Sequence, residues 1–219
     1  MKYIKQYGIQ RSGTNYFRVL IEMNSECRVL SNICGYKHGE ITGVTNMRQI
    51  KTELHASKIK ELDRMFKNGE IPKVVIIKEP LSWIVSISKY LRKEITADFI
   101  NEQMHRYCEL NLHWIDNCDM VIHYGDMLLH PQDVVISVAN KFNIPVNLYE
   151  FNSPEFRMHR GGDIPAEQNV SHQRFDPTYY TEYRYLNELT EDQVLHINSY
   201  PLLHLLNKTL NGTKEKSKD

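Results

Sequence analysis

The loop Gly8-Ile-Gln-Arg-Ser-Gly-Thr-Asn15 has the residue types and the position of an anion-binding loop. It follows a β-rich alternating segment, 3–9, and precedes a segment whose apolar residues recur at helical spacing. The first N–H groups of a helix have no partner inside the helix, so a phosphate or sulfate can bind there. Gly13 lets the backbone approach the anion, and further donors come from Arg11, Ser12 and Thr14. The alternative is a plain strand-to-helix turn capped by a hydroxyl residue.

The same loop lacks the lysine of nucleotide-hydrolysing P-loops. In G-x-x-x-x-G-K-[ST] a lysine follows the second glycine, whereas Thr14 follows Gly13 here. That lysine reaches the phosphates and the next hydroxyl binds the metal ion, so its absence disfavours hydrolysis of ATP or GTP. The loop keeps a cradle for an anion without the usual metal–phosphate chemistry.

A second polar segment, Lys78-Glu-Pro-Leu-Ser-Trp-Ile-Val-Ser86, follows a run of β-branched residues typical of a strand buried on both faces. Pro80 favours the first turn of a helix, and Ser82 and Ser86 then share one face of that helix. Lys78 and Ser86 are therefore predicted to converge on one anion beside the first loop. The alternative is a solvated lysine and a helix-surface serine.

Strand and helix patterns alternate along the chain, which is typical of βαβ units and a parallel sheet with helices on both faces. Strands are predicted at 3–9, 28–33, 74–77 and 119–124. Helices are predicted at 15–26, 46–68, 80–92, 96–118, 132–143 and 190–206, the last interrupted near Pro201, and 150–185 is predicted to be irregular. Ligands of such sheets bind beyond the carboxyl ends of the strands, which are followed here by 10–15, 35–39, 78–86 and 124–126.

The two polar segments together resemble those of sulfotransferases that use 3′-phosphoadenosine 5′-phosphosulfate (PAPS). Gln10–Tyr16 resembles the 5′-phosphosulfate loop of that family, and Lys78-x-Pro80-x5-Ser86 resembles its 3′-phosphate motif. The segment 121–131, followed by 141–145, is similar to the strand, acidic turn and "LL…P" segment of the family. Arg160-Gly-Gly162 is similar to the basic, glycine-rich loop that closes over the nucleotide. The resemblance covers about residues 3–206, and the compact length suggests a bacterial or viral type.

This resemblance implies an α/β, three-layer P-loop-like fold with a central parallel sheet flanked by helices. It implies PAPS as the donor, the desulfated nucleotide PAP as the product, and no metal requirement. Matched residue by residue, the 5′-phosphosulfate would be held by Arg11, Ser12, Gly13, Thr14 and Asn15. The 3′-phosphate would be held by Lys78 and Ser86, with Arg160, Gly161 and Gly162 completing that pocket.

Three positions depart from the family pattern. Lys78 stands where the family usually has arginine, which keeps the charge but loses the bidentate fork. Gln10 stands where proline is common, and Gly125 replaces the glutamate of the usual Tyr-Glu-Asp turn. No role of that carboxylate can therefore be transferred to this chain.

Sulfuryl transfer to a hydroxyl needs a general base for the acceptor proton and cationic groups for the developing charge. His38, in Gly35-Tyr-Lys-His-Gly39, is the predicted base because it follows the second strand and its ordinary pKa of ~6.5 is near working pH. Related bacterial sulfotransferases resemble this Lys-His-Gly stretch. Lys37 is predicted to stabilise the transferred group and Arg11 the leaving phosphate. Other candidate bases are Glu40, His123 and Asp126.

Aromatic residues near these segments are candidates for stacking on adenine or sugar. Trp83 is the first candidate because it lies inside the second segment, and the others are Tyr90, Trp114 and the Tyr179-Tyr180 pair. Acceptor-binding loops are expected at 40–70 and 150–185, where Arg, His, Tyr and Asn suit a polar, hydroxyl-bearing acceptor. The predicted reaction moves a sulfuryl group from PAPS to an acceptor hydroxyl, on a small molecule or, in the favoured form, a carbohydrate.

The composition of the chain disfavours several other classes of protein. Lys and Arg number 27, as do Asp and Glu, so bulk attraction to nucleic acid or an anionic membrane is not expected. No apolar stretch approaches the ~20 residues that span a bilayer and no signal peptide is recognisable, so we expect a cytoplasmic protein without an integral membrane segment. No metal-ligand cluster is recognisable. One domain is expected over 1–210 with a flexible polar tail over 211–219, and the oligomeric state stays open.

Two other functions remain open at this point. A P-loop kinase of a small metabolite would depend on Mg²⁺ and would carry a lysine in the first loop. A protein that binds a nucleotide without catalysis would retain PAP binding and would be indifferent to loss of His38.

Overall fold

A computed structural model describes residues 1–48, 50, 52–154, 156–158 and 170–216. Its centre is a sheet of four parallel strands, β1 (Lys2–Tyr7), β2 (Cys27–Leu30), β3 (Lys73–Ile77) and β4 (Met120–His123). The strands lie in the order β2-β1-β3-β4, so β1 and β3 form the middle. In this register Lys5 of β1 pairs with Leu30 of β2 and with Lys73 of β3. The predicted α/β architecture with a parallel sheet is confirmed.

Helices flank this sheet along most of the chain. They are α1 (Thr14–Asn24), α2 (Ala56–Lys67), α3 (Pro80–Leu91), α4 (Ala97–Asn117), α5 (Tyr124–Leu129), α6 (Pro131–Phe142), α7 (Thr178–Thr181), α8 (Glu191–Asn198) and α9 (Pro201–Lys216), with a 3₁₀ helix at Arg184–Glu188. Proline begins α3, α6 and α9, where its fixed φ is already helical. The predicted interruption near Pro201 is therefore the boundary between α8 and α9.

Apolar side chains cover both faces of the sheet. On one face Tyr7, Val75 and Ile77 pack with residues of α3, α4, α8 and α9. On the other face Val74 and Ile76 pack with residues of α1, α5 and α6. Successive residues of β3 thus point to opposite, equally buried faces, which explains its uninterrupted β-branched run.

The helix predicted over 46–68 begins only at Ala56. Local side-chain hydrogen bonds explain this difference. Asn46 Oδ1 accepts from the backbone N–H of Arg48 at 3.1 Å, and Thr52 Oγ1 accepts from that of Leu54 at 3.1 Å. Such contacts offer the backbone an alternative to helix formation, so the first half of the segment forms turns instead.

Two further differences lie in the second half of the chain. The region predicted to be irregular contains an antiparallel pair of strands, β5 (Phe156–Met158) and β6 (Val170–Arg174), followed by α7 and the 3₁₀ helix. Helix α9 continues to Lys216, into the segment for which a flexible tail was predicted. None of the helices in the described ranges is both long enough and apolar enough to span a membrane.

The strand order creates a crevice between β1 and β3. The connection after β1 leads to β2 on one side, and the connection after β3 leads to β4 on the other side, so the two connections diverge from the gap between β1 and β3. In open parallel sheets ligands bind outside the carboxyl ends of the strands at such a point. The segments beyond β1 and β3 are the two that the sequence singled out.

Candidate anion-binding site

The turn between β1 and α1 brings backbone close to the crevice. A Cβ atom on Gly8 would lie 2.8 Å from the carbonyl oxygen of Ile76 in β3 and 2.6 Å from Ser12 Oγ. Gly13 is the N-cap of α1 with a φ of 95°, and a Cβ atom there would overlap the Tyr124 ring. Side chains are excluded at both positions, so the loop lies directly against β3 and Tyr124.

The N-terminus of α1 has no side-chain cap among the described residues. Ser12 is fully buried, and its hydroxyl makes no hydrogen bond within that part of the chain. Thr14, the first residue of α1, is buried as well. Buried polar groups without partners are costly, so a buried hydroxyl beside first-turn N–H groups is an arrangement that a bound anion would complete.

Helix α3 differs from α1 in this respect. The carboxylate of its N-cap, Glu79, accepts from the backbone N–H of Leu81 at 2.9 Å and of Ser82 at 3.0 Å. The chain itself therefore supplies the negative charge at the start of α3. Both α1 and α3 begin beside the crevice. Among the described residues a carboxylate caps α3, whereas none caps α1.

Lys78 is a buried cation at the end of β3. It is 2% exposed, and its Nζ donates to Ser86 Oγ at 2.7 Å, so the structure brings the predicted pair together. The Tyr107 hydroxyl donates to the carbonyl oxygen of Lys78 at 2.5 Å, which fixes the backbone there. Burial, and then the charge of Arg11, lowers the pKa of Lys78 to about 7, against an opposing effect of Glu79. Lys78 can thus gain or lose its proton near neutral pH.

Two tyrosine rings cover the Lys78 ammonium. Nζ lies 5.1 Å from the ring centroid of Tyr124 and 4.2 Å from that of Tyr180, both within cation–π range. The rings meet edge to face at 5.3 Å. Next to Tyr180, Tyr179 donates its hydroxyl to Glu188 at 2.5 Å, and Lys89 of α3 donates to the same carboxylate at 2.6 Å. The 175–188 segment is thereby held on α3, over Lys78.

Lys37 is a second buried cation, on the opposite side of the loop. It follows β2, is 4% exposed, and its Nζ donates to Asn15 Oδ1 at 2.6 Å in the first turn of α1. Since β2 and β3 flank β1, the loop after β1 has a buried lysine after each neighbouring strand. The two lysines therefore place positive charge on either side of a helix start that no described side chain caps.

His38 is attached directly to the end of β1. Its Nδ1 lies 2.5 Å from the carbonyl oxygen of Gly8, and the N–H of Gly8 donates to the carbonyl oxygen of Lys37 at 3.0 Å. Because a carbonyl oxygen only accepts, Nδ1 carries the proton of the neutral ring and Nε2 is the basic nitrogen. Burial, and then the charge of Lys37, lowers the pKa of His38 to about 3, while the Gly8 carbonyl opposes this. His38 is therefore neutral at physiological pH.

Arg11 and the Arg160–Gly162 segment were also predicted to hold the donor. Arg11 is exposed, with its guanidinium carbon 5.7 Å from the ring centroid of Tyr90. Arg160, Gly161 and Gly162 lie outside the described residues.

The stacking role predicted for Trp83 does not agree with its position. Its ring is fully buried, and its Nε1 donates to the carbonyl oxygen of Gln10 at 2.8 Å. Trp114 is fully buried too and donates to the carbonyl oxygen of Gly39 at 3.1 Å. Both tryptophans belong to the core and hold the two loops in place.

The alternative bases lie elsewhere. Glu40 is exposed, and His123 and Asp126 line a cavity of about 270 Å³ along the edge strand β4. That cavity is separated from the crevice by β3. In the part of the chain that the structure describes, no three His, Cys, Asp or Glu side chains are grouped to hold a metal ion.

Two features of the site were missed by the sequence analysis. Glu79 caps α3, although glutamate is not a preferred N-cap residue and gives no such signal. Lys5 is fully buried in β1, and the signal that could have found it is a charged residue within a strand of the predicted parallel sheet. Comparisons of the chain with protein-family models, curated proteins and solved structures found no match.

Proposed function

We propose that this protein transfers the sulfuryl group of PAPS to a hydroxyl group of an acceptor, a carbohydrate in the favoured form. The observation that carries the proposal is the pair of buried lysines, Lys37 and Lys78, on either side of the start of α1, which none of the described side chains caps. Two separated cationic positions match a ligand with two separated anionic groups. PAPS has such groups at its 5′ and 3′ ends.

The 3′-phosphate is assigned to Lys78 and Ser86. A phosphate beside the Lys78 ammonium would favour its protonated form and replace the tyrosine rings as its partner. Because Lys78 is 2% exposed and Tyr180 lies 4.2 Å from its Nζ, binding requires the Tyr180 ring to move aside.

The 5′-phosphosulfate is assigned to the loop after β1. First-turn N–H groups of α1, the Ser12 hydroxyl and Lys37 would surround it, and Arg11 would add charge from the exposed side. In the transfer, the sulfur–oxygen bond to the 5′-phosphate breaks and a bond to the acceptor oxygen forms. Negative charge develops on the departing phosphate oxygen, where cations and helix N–H groups stabilise it most.

His38 is assigned as the base that removes the acceptor proton. Its Nδ1–H donates to Gly8, so Nε2 is available to receive the proton while the sulfate ester and PAP form. A pKa of about 3 makes the imidazole a weak base in the free protein. The negative donor would offset the charge of Lys37 and so raise that pKa in the complex.

Transfer of ³⁵S from labelled PAPS to a panel of neutral and acidic glycans, in the presence of EDTA, tests this function. Labelled glycan should form with the wild type and with His105→Ala, an exposed histidine of α4, and should be strongly reduced with His38→Ala. Labelled glycan formed equally well by His38→Ala would contradict the assignment of the base. PAP binding without transfer to any acceptor would favour the non-catalytic alternative.

A further inference from the structure

Lys5 has a buried ammonium group that contacts the chain segment preceding His38, the proposed base. It belongs to the central strand β1 and is fully inaccessible to solvent. Its Nζ donates to the carbonyl oxygens of Ser31 at 2.6 Å, Ile33 at 2.9 Å and Gly35 at 2.5 Å. A buried charge is tolerated only when such hydrogen bonds replace its hydration.

The three carbonyl groups belong to the irregular segment that follows β2. Within it Cys34 and Gly35 both have positive φ, of 60° and 102°. Gly35 adopts this conformation freely, whereas Cys34 has a side chain and is strained there, so contacts from outside the segment must hold it. The Thr45 hydroxyl accepts from the N–H of Cys34 at 2.9 Å, and Lys5 binds the carbonyl side of the same segment.

This segment leads directly to Lys37 and His38. Lys5 of β1 binds its carbonyl groups, and Gln6 of β1 donates its Nε2–H to Ser31 Oγ at 2.9 Å. Further along, Gly8, which follows β1, contacts Lys37 and His38. Gly8 binds Lys37 and His38 themselves, whereas Lys5 binds the residues that set the path toward them. Without Lys5 the three carbonyl groups would lose their buried donor, and the segment would have to move to hydrate them.

We propose that Lys5 is a positioning residue of the site, which holds the 31–35 segment so that Lys37 and His38 reach the end of β1. The proposal deepens the proposed function, since it names what orients the proposed base. Lys5 has no assigned contact with donor or acceptor. Its effect is transmitted through three main-chain carbonyl groups.

The test compares Lys5→Met with Arg18→Met, which removes an equally buried cation bonded to Glu22 within α1. Hydrogen exchange of residues 31–39 and the NMR titration of the His38 imidazole are followed without nucleotide. In Lys5→Met, exchange should increase about tenfold, which loss of the Lys5 charge alone would not produce. His38 should titrate near the ordinary value of ~6.5, because it becomes hydrated and also loses the nearby charge of Lys5. In Arg18→Met the exchange rates and the His38 titration should stay as in the wild type. His38 should remain neutral there because the charges of Lys37, Lys5 and Arg106 near it are unchanged.

A Lys5→Met protein that is folded and retains wild-type exchange over residues 31–39 would overturn the proposal, whatever its His38 titration. Should that variant not fold, Gly35→Ala displaces the segment with Lys5 present, because a Cβ atom there would lie 2.8 Å from Thr42 Oγ1. The Lys5 ammonium and His38 ring signals should then shift together. A shift of His38 with an unchanged Lys5 signal would also overturn the proposal. Neither readout depends on PAPS, so failure of the proposed function is detected separately by absent PAP binding.

Discussion

The Lys78 ammonium and the Ser86 hydroxyl lie 2.7 Å apart in the core, although one follows β3 and the other lies within α3. Glu79, the residue after Lys78, caps α3 and so stabilises the helix that carries Ser86. On the other side of the loop, Lys37 makes the corresponding contact with Asn15. The site is therefore a helix start between two lysine–polar pairs.

PAP affinity is predicted to fall as pH rises above 7. The free protein loses the Lys78 proton around its pKa of about 7, whereas a bound 3′-phosphate keeps that proton in place. Each pH unit above this value should therefore weaken binding by up to about tenfold. Calorimetric titrations between pH 6.5 and about 9 measure the trend.

The matched control for this prediction is Lys78→Arg, which restores the residue usual in the resembled family. Arginine stays protonated over this range, so its PAP affinity should be almost independent of pH. An equal pH dependence in the wild type and in Lys78→Arg would show that another group is responsible.

Removal of the Tyr180 ring is predicted to speed PAP association. The ring lies over Lys78 and must move before a phosphate can reach the ammonium. In stopped-flow measurements Tyr180→Ala should associate several-fold faster than the wild type. The control is Tyr183→Ala, since Tyr183 is 61% exposed and packs against Tyr185 instead. Unchanged association in Tyr180→Ala would mean that the ring does not limit access.

His38 is predicted to make the wild type lose stability on acidification. Its pKa is about 3 in the folded protein and ~6.5 when unfolded, so only the unfolded chain takes up this proton in between. The free energy of unfolding should therefore fall as pH falls from about 6.5 toward 3, and fall less steeply in His38→Asn. Urea unfolding at several pH values measures this difference. His105→Asn should keep the wild-type slope, and an identical slope in His38→Asn would contradict the prediction.

Gly13→Ala is predicted to destabilise the fold by about 1–3 kcal/mol and to abolish PAP binding. The new Cβ atom would meet the Tyr124 ring at a φ of 95°, which displaces the loop. Gly125→Ala is the matched control, because a Cβ atom at Gly125 in α5 has no neighbour within 4 Å. That variant should retain wild-type stability or gain slightly. Both variants are compared by thermal unfolding and by PAP titration. Equal stability and equal PAP affinity of the two variants would contradict the prediction.

Much of the fold around the site was predictable from the sequence, because it is determined by local sequence patterns. The β-branched run of β3, the proline starts of α3 and α6, and the glycines of the first loop each carry a conformational preference. The meeting of Lys78 and Ser86 also followed, since strand end and helix spacing together determine their approach.

The position of the 175–188 segment over Lys78 was not predictable in the same way. Tyr180 lies over Lys78 through contacts among Tyr179, Glu188 and Lys89, which are far apart in sequence. The role expected for Trp83 was wrong for a related reason. Its position in the second segment suggested stacking on adenine or sugar, whereas packing against Tyr107 places it in the core.

Calorimetric titration of the purified protein with PAP, alongside ADP with Mg²⁺, distinguishes the proposed donor site from a kinase site. PAP should bind without metal, and its binding should be weakened in Lys78→Ala and in Arg11→Ala. Binding of ADP with Mg²⁺ and none of PAP would contradict the sulfotransferase proposal and favour a kinase. Binding of neither ligand would contradict the proposed donor site.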